Sequence, residues 1–383
     1  MGKKIFMTGA SGFLGRNLLD RMLKTDSEMF YILVRSDRAQ QSIREKIKWA
    51  DPERVKYVQG DLSRPYCGLS VKDQNLLSGK IEEVWHLAAS TAFDESKRAE
   101  IFSTNSIGTD NLLSAVSSFS KLEKLFYIST AYVCGEEGVN VPEEQLSEKR
   151  KFRNPYEESK LNAENKVRTS KIPFTIIRPS ILMGDSKTGE AEGEDRMVYG
   201  YLLGVYFSAL STMQPPRDKN FWKYWEESSD KKNYREISTR FRANANTGKN
   251  LVTIDDMVNV CLAIQSAPDN QKKTYNVVNS KDISVGQIVD TMQETLHIQG
   301  IRYIPNLPAK DITNGSVAER VAFKKTQPYW PYVHGPEPNW IHENVDSLNV
   351  SRVEMNKDML SFLLNTYVKK YLKPSTQYGS PNN

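Results

Sequence analysis

The stretch Lys4-Ile5-Phe6-Met7-Thr8-Gly9-Ala10-Ser11-Gly12-Phe13-Leu14-Gly15 decides the fold. Its first five residues read as a buried strand, and Leu14, Leu18, Leu19 and Met22 then recur at helical spacing. Three glycines between a first strand and a first helix suit a dinucleotide. Gly9 can take the tight turn, Gly12 lets the backbone approach a pyrophosphate, and Gly15 allows the helix to pack closely on the sheet. The helix N-terminus then holds the negative charge. An ordinary glycine-rich turn is the plainer alternative; the position directly after the first strand favours the dinucleotide.

Further strand-like runs follow at 30–34, 55–58, 83–87, 125–128 and 174–177, with helical patterns between them, notably 107–118 and 156–169. This alternation predicts an α/β chain with a doubly wound (Rossmann) parallel sheet and right-handed crossovers. After Pro179 the character changes. Residues 185–250 are polar with an aromatic interruption, and the pattern there cannot be traced. A strand at 250–254 restores order, with Asp255 as an expected N-cap for a helix over 257–265. A strand at 274–278 and a helix over 285–296, capped by Ser284, follow. The expected organisation is a Rossmann domain over 1–184, to which 250–280 return. Residues 185–249 and 281–372 form a smaller, mostly C-terminal substrate-binding domain, and 373–383 a disordered tail.

Composition narrows the function classes. The 383 residues carry 52 basic and 47 acidic side chains, well mixed, for a net charge of +5; this is too diffuse to argue for nucleic acid. The three cysteines (Cys67, Cys134, Cys261) and four histidines lack metal-ligand spacing, so no metal is expected and a reduced cytoplasmic setting fits. The longest apolar tract, Met197 to Leu210, falls short of the ~20 residues that cross a bilayer.

The second strand ends Val34-Arg35-Ser36, where a preference for NAD would place a carboxylate on the ribose hydroxyls. A guanidinium pairs bidentately with phosphate, so Arg35, helped by Arg44, points to NADP; a solvated strand-end arginine is the alternative. Asp61, after the third strand, suits the adenine amino group or simply caps a turn. Tyr156-Glu157-Glu158-Ser159-Lys160 places a phenol and an ammonium on one helix face. A nearby cation lowers a phenol's pKa, as a proton donor to a carbonyl requires. Thr130, at the end of the fifth strand, offers a hydroxyl to the same oxygen.

These motifs occur in the order found in the extended short-chain dehydrogenase/reductases, which the chain resembles: TGASGFLG, Gly60-Asp61-Leu62, His86-Leu87-Ala88-Ala89, Asn105, STAYV at 129–133, the YxxxK pair and Arg178-Pro179-Ser180. GFLG, the LVR strand end and threonine in STAYV resemble the thioester reductase and fatty acyl-CoA reductase branch most closely. The resemblance implies a cofactor lined by Gly9, Ser11, Gly12, Phe13, Leu14, Gly15, Arg35, Arg44, Asp61, Leu62, Ala88, Ala89, Tyr156, Lys160 and Pro179. It implies catalysis by Thr130, Tyr156 and Lys160, with Asn105 either positioning Lys160 through a water or serving as an ordinary helix-interior residue.

On that basis the expected activity is NADPH-dependent reduction of an acyl thioester, bound to coenzyme A or a carrier protein, to aldehyde or alcohol. Sugar-nucleotide epimerase or dehydratase, simple carbonyl reductase and non-catalytic dinucleotide sensor are the competing readings. The partners expected are an acyl substrate, small or carrier-bound, and by analogy an acyl carrier protein and a second copy in a homodimer. Residues 198–207 fit three roles: a wall of the acyl site, a core helix or a membrane-surface helix.

Overall fold

Apolar runs too short for helices and buried on both faces become parallel strands flanked by helices. The computed structural model describes residues 2–25, 28–136, 138–228 and 234–373. The elements of the first half are β1 (Lys4–Thr8), α1 (Phe13–Met22), β2 (Met29–Val34), α2 (Asp37–Lys46), β3 (Val55–Gln59), α3 (Val71–Ser78) and β4 (Glu83–His86). They continue as α4 (Arg98–Phe102), α5 (Gly108–Val116), β5 (Lys124–Ile128), α6 (Pro155–Thr169) and β6 (Phe174–Pro179). With the strand Thr274–Val277 they form one seven-stranded sheet, ordered Thr274–Val277, β6, β5, β4, β1, β2, β3, every pair parallel. The doubly wound expectation holds. The strand order reverses between β1 and β4, and open α/β sheets bind ligands at the carboxyl ends of strands flanking such a switch.

The chain divides into two compact units. The first comprises residues 1–182, 254–278 and 338–352. Its last piece was expected in the substrate-binding domain; hydrogen bonds to the 138–144 segment and to the strand Thr274–Val277 hold it in the first unit instead. The core of this unit packs Phe6, Val84, Leu112, Leu125, Tyr127 and Ile176, and Trp85 stacks on Phe126 at 4.2 Å. The helix expected over 257–265 starts at Ile254, directly after the strand Leu251–Thr253, so Asp255 lies in its first turn rather than at its N-cap.

The second unit comprises 183–253, 279–337 and 353–383. The untraced 185–250 region contains two helices, Met197–Ser211 and Arg217–Glu227, and a strand, Arg235–Phe241, that pairs in parallel with Ile298–Tyr303. Gly200 and Gly204 let Met197–Ser211 approach Tyr329 and Thr326 closely; a Cβ at either glycine would come within 2.7–2.8 Å of those side chains. Val198, Tyr199, Leu202, Val205 and Tyr206 are buried, as the core-helix reading of this segment requires. Ser284 caps Val285–Leu296 as expected, in a full capping box with Gln287. The tail positions 374–383 lie outside the described residues. Among the described residues, no helix is long and apolar enough to cross a membrane.

Candidate active site

The glycine turn closes at the switch between β1 and β4. Gly9 has φ +76°, and a Cβ there would lie 2.5 Å from the Ala88 amide nitrogen. A Cβ on Gly15 would lie 2.1 Å from the Gly9 carbonyl, which itself accepts the Gly12 N–H at 3.0 Å. Position 12 is different: a Cβ there would meet only the Gly9 oxygen, at 3.3 Å, and otherwise project into open space. The helix α1 begins at that glycine with no side-chain cap and no acidic residue in its first turn. Uncapped N–H groups at the positive end of a helix, beside an open cradle, suit a pyrophosphate. Ser11 is exposed at this turn, and Phe13 and Leu14 are half-buried beside it.

Arg35 is exposed at the end of β2, where its carbonyl accepts from Gln59 at 3.1 Å. Arg44 is less free, its guanidinium lying 5.1 Å over the Tyr57 ring. Asp61 accepts both the backbone N–H and the hydroxyl of Ser63, at 2.9 and 2.8 Å. Chiefly for that reason, aided by Arg35 and Arg64, its carboxyl stays below the usual range. Leu62 is buried, and its carbonyl accepts from Asn111 at 2.7 Å.

Behind these loops a buried chain of polar groups crosses from β1 to α5. Thr8 Oγ1 lies 2.7 Å from His86 Nδ1, and His86 Nε2 lies 3.1 Å from Thr109 Oγ1. Thr109 donates to the Asn105 carbonyl at 2.6 Å, so it accepts from Nε2–H, and Thr8 donates to Nδ1. The imidazole is thus neutral. Burial, reinforced by the Lys160 charge, pushes its pKa down to about 3.

Asn105 lies in a π-turn, Ser103–Ile107, inserted between α4 and α5. Its Oδ1 accepts the Ser90 N–H at 2.7 Å, and its amide donates to the Ser90 carbonyl and to Ser159 Oγ, both at 2.9 Å. Ser159 in turn donates to the Tyr156 carbonyl at 2.9 Å. Both amide hydrogens are therefore used, and the side chain ties the Ala88-Ala89-Ser90 loop to α6.

The helix α6 carries Tyr156 and Lys160. Asn154 caps it by accepting the Glu157 N–H at 3.1 Å, and Pro155 occupies its first position. Tyr156 is half-buried, its ring 5.5 Å from Phe93. Lys160 is buried, its Nζ donating to the Ile128 carbonyl at 2.6 Å and lying 4.3 Å from the centre of the Tyr127 ring. Burial lowers its pKa to about 7, against the opposing charge of Glu164 one turn on. Thr130, two residues beyond Ile128, is buried and extended, and its Oγ1 accepts the Tyr132 N–H at 3.3 Å to cap the short 3-10 turn Ala131–Cys134.

Three contacts of this framework were not assigned from the sequence: Arg178 to Glu164, Ser159 to Asn105, and the Trp340 indole N–H to the Ala131 carbonyl at 2.9 Å. Arg178 meets Glu164 through two hydrogen bonds, 2.9 and 2.7 Å, both side chains fully buried, and also donates to the carbonyls of Pro142 and Glu144. Arg178 had a signal, as the one charged residue in the buried strand Phe174–Pro179; Pro179 itself is buried at the end of β6. Ser159 sat inside the YxxxK motif. Trp340 ends an aromatic-rich stretch that begins at Tyr329, but nothing local points it to Ala131. The three cysteines are free and buried, and burial pushes the Cys67 and Cys134 thiols up to about 12 and 11. Among the described residues, no cluster of three or more His, Cys, Asp or Glu is placed to hold a metal.

A sequence-family profile described as male sterility protein, an NAD-binding family, matches residues 7–222. A linear gramicidin synthase of Brevibacillus parabrevis is 31% identical over 208 residues, 50% of this chain and 4% of that protein. Fatty acyl-CoA reductase 2 of Homo sapiens is 33% identical over 147 residues, 34% of this chain and 28% of that protein. The chain thus spans well under a third of these curated relatives. In fold it is similar to the terminal R domain of the myxalamid PKS-NRPS pathway, with TM-score 0.75, 21% identity and coverage of 96% of this chain and 91% of that one. It is also similar to UDP-glucuronic acid 4-epimerase of Bacillus cereus in complex with NAD, with TM-score 0.66, 17% identity and coverage of 97% and 99%. With the family profile spanning more than half its length, the chain belongs to the male sterility protein family.

Proposed function

We propose that this chain is an NADPH-dependent reductase of acyl thioesters, carried on coenzyme A or on a carrier protein, with Thr130, Tyr156 and Lys160 as its catalytic residues. The observation that carries the reading is the anchoring of Lys160 at the end of β5, one helical turn from Tyr156 and two residues from Thr130 along the strand end. Acyl thioesters as the substrate class are supported by the fatty acyl-CoA reductases among the relatives and by the R domains among the similar folds. NADPH over NADH is supported by the exposed Arg35 guanidinium where a carboxylate would repel a phosphate.

The glycine turn and the N-terminus of α1 would hold the pyrophosphate, Arg35 the adenosine phosphate, and Asp61 the adenine. When bound, NADPH supplies hydride to a carbonyl carbon. Tyr156 and Thr130 hydrogen-bond the oxygen as negative charge develops on it, and Tyr156 gives it a proton. The Lys160 ammonium stabilises the phenolate that remains. A hemithioacetal formed in this way expels its thiol and leaves an aldehyde, which a second round takes to an alcohol. Asn105, through Ser159, positions the backbone of Tyr156, and the Glu164–Arg178 pair fixes the same face of the helix one turn beyond Lys160.

Aldehyde trapping tests the substrate class. Incubation with NADPH, a long-chain acyl-CoA or an acyl-pantetheine, and an excess of a hydrazine should accumulate the hydrazone of the matching aldehyde. Reduction of free aldehydes and ketones, with no hydrazone from any thioester, would contradict thioester reduction and leave simple carbonyl reduction.

A further inference from the structure

Thr130 holds its hydroxyl at the start of a 3-10 turn only four residues long, through one long capping bond to Tyr132. Such turns have poorer hydrogen-bond geometry than an α-helix. Ser129 N–H to the Ile177 carbonyl, at 2.7 Å, holds the strand side, and a further constraint comes from far along the chain. Trp340 is 5% exposed, and its Nε1 donates to the Ala131 carbonyl at 2.9 Å, across 209 positions of sequence. Its ring meets Tyr132 edge-on at 5.4 Å. A buried indole N–H does not always find an acceptor, since among the described residues that of Trp85 has none.

The segment bearing Trp340 is itself tied down. Trp340 pairs with Val141 in a parallel bridge, flanked by Val141 N–H to the Asn339 carbonyl at 2.7 Å and Ile341 N–H to the Val141 carbonyl at 3.0 Å. Asn276, on the outermost strand of the sheet, donates to the carbonyls of Ile341 and Val141 at 2.7 and 3.2 Å. Glu143 accepts the backbone N–H groups of Asn276 and Asn344, at 2.9 and 2.6 Å. A hydrogen-bonded path therefore runs from the sheet edge, through Ile341 and Trp340, to the residue that follows Thr130.

We propose that Trp340 is a positioning residue for Thr130, setting the place of its hydroxyl from the strap 338–352 without touching the substrate. The proposal rests on the reading of Thr130 as the hydroxyl that holds the reacting oxygen. It adds a determinant from outside the motifs that mark the site.

Trp340→Phe keeps an aromatic ring against Tyr132 and removes the N–H. With NADPH and either an acyl-CoA or a simple aldehyde, kcat should fall about tenfold, the loss of one buried hydrogen bond, while the NADPH dissociation constant changes less than about twofold. In a Thr130→Ala background the same substitution should change kcat by less than about twofold, because its effect passes through the hydroxyl already removed. An undiminished kcat in Trp340→Phe, or a second full tenfold loss in the Thr130→Ala background, would overturn the proposal. Amide hydrogen exchange tests it without turnover: exchange at Tyr132 should quicken about tenfold in Trp340→Phe, with β1 and β2 unchanged. Unaltered exchange at Tyr132 would overturn it whatever the chain reduces. Faster exchange in a protein that reduces neither thioester nor aldehyde with NADPH would sink the functional reading and uphold the positioning.

Discussion

Lys160 donates to the carbonyl of Ile128 at 2.6 Å, so the ammonium of one helix closes the end of the strand that leads to Thr130. This contact holds a charge in a buried place, and burial is the larger influence on its pKa, which drops from 10.5 to about 7.

The sign of the resulting pH dependence is fixed. Between about pH 7 and 10.5 the unfolded chain holds the Lys160 proton and the folded chain does not, so this residue's contribution makes stability rise with pH across that window. Below about pH 7 the folded state bears the whole cost of the buried charge. Relative to wild type, Lys160→Met should gain most in Tm at and below pH 7 and lose that gain towards pH 10. A Tm difference independent of pH would contradict the burial argument; the lost bond to Ile128 adds only a constant offset.

Gly15 faces the Gly9 carbonyl so closely that a methyl group would sit 2.1 Å from it. Backbone, not a flexible side chain, is the obstacle, so Gly15→Ala must displace the turn. The variant should lose NADPH binding by at least about 100-fold in a fluorescence titration. Gly12→Ala, whose added methyl points into the open cradle, should lose binding with little change in Tm. Equal thermal losses in both would contradict this division of labour.

Arg35→Asp should weaken NADPH about 10- to 100-fold, the range for one charge-assisted phosphate contact, and leave NADH no weaker. The ratio of the two dissociation constants is the measurement. Arg44→Ala should have the smaller effect, because Tyr57 already holds that guanidinium. A greater loss in Arg44→Ala would reverse the assignment.

The Arg178–Glu164 pair is wholly buried, and removing Arg178 leaves the Glu164 charge only the more distant Arg168, at 3.8 Å. Arg178→Met should destabilise the chain by about 3–5 kcal/mol in urea unfolding. Adding Glu164→Met should recover part of that loss, and a double variant less stable than Arg178→Met would contradict the stranded-charge account.

Most of this framework was legible locally. β1 to β6 announced themselves as short apolar runs, and the Gly9–Gly15 turn, Tyr156–Lys160 and Thr130 stood in recognisable order. The helix Met197–Ser211 escaped tracing because ten of its fifteen residues are buried and no single apolar stripe marks it. Asn105 was legible as a residue but not as a contact, since a π-turn decides where its amide points. The strap 338–352 was assigned to the wrong unit because its partners, Val141, Asn276 and Ala131, lie far away in sequence. Contacts made by tertiary closure leave no periodicity to read.

In the proposed reaction Tyr156 protonates the oxygen of a thioester carbonyl as its carbon is reduced. Following NADPH oxidation and free thiol together, with an acyl-CoA as substrate, tests it most directly. One thiol should appear for each first hydride consumed, and Tyr156→Phe should lower both rates at least about 100-fold while binding NADPH as the wild type does. Oxidation of NADPH with no thiol released, or a Tyr156→Phe variant that turns over undiminished, would contradict it.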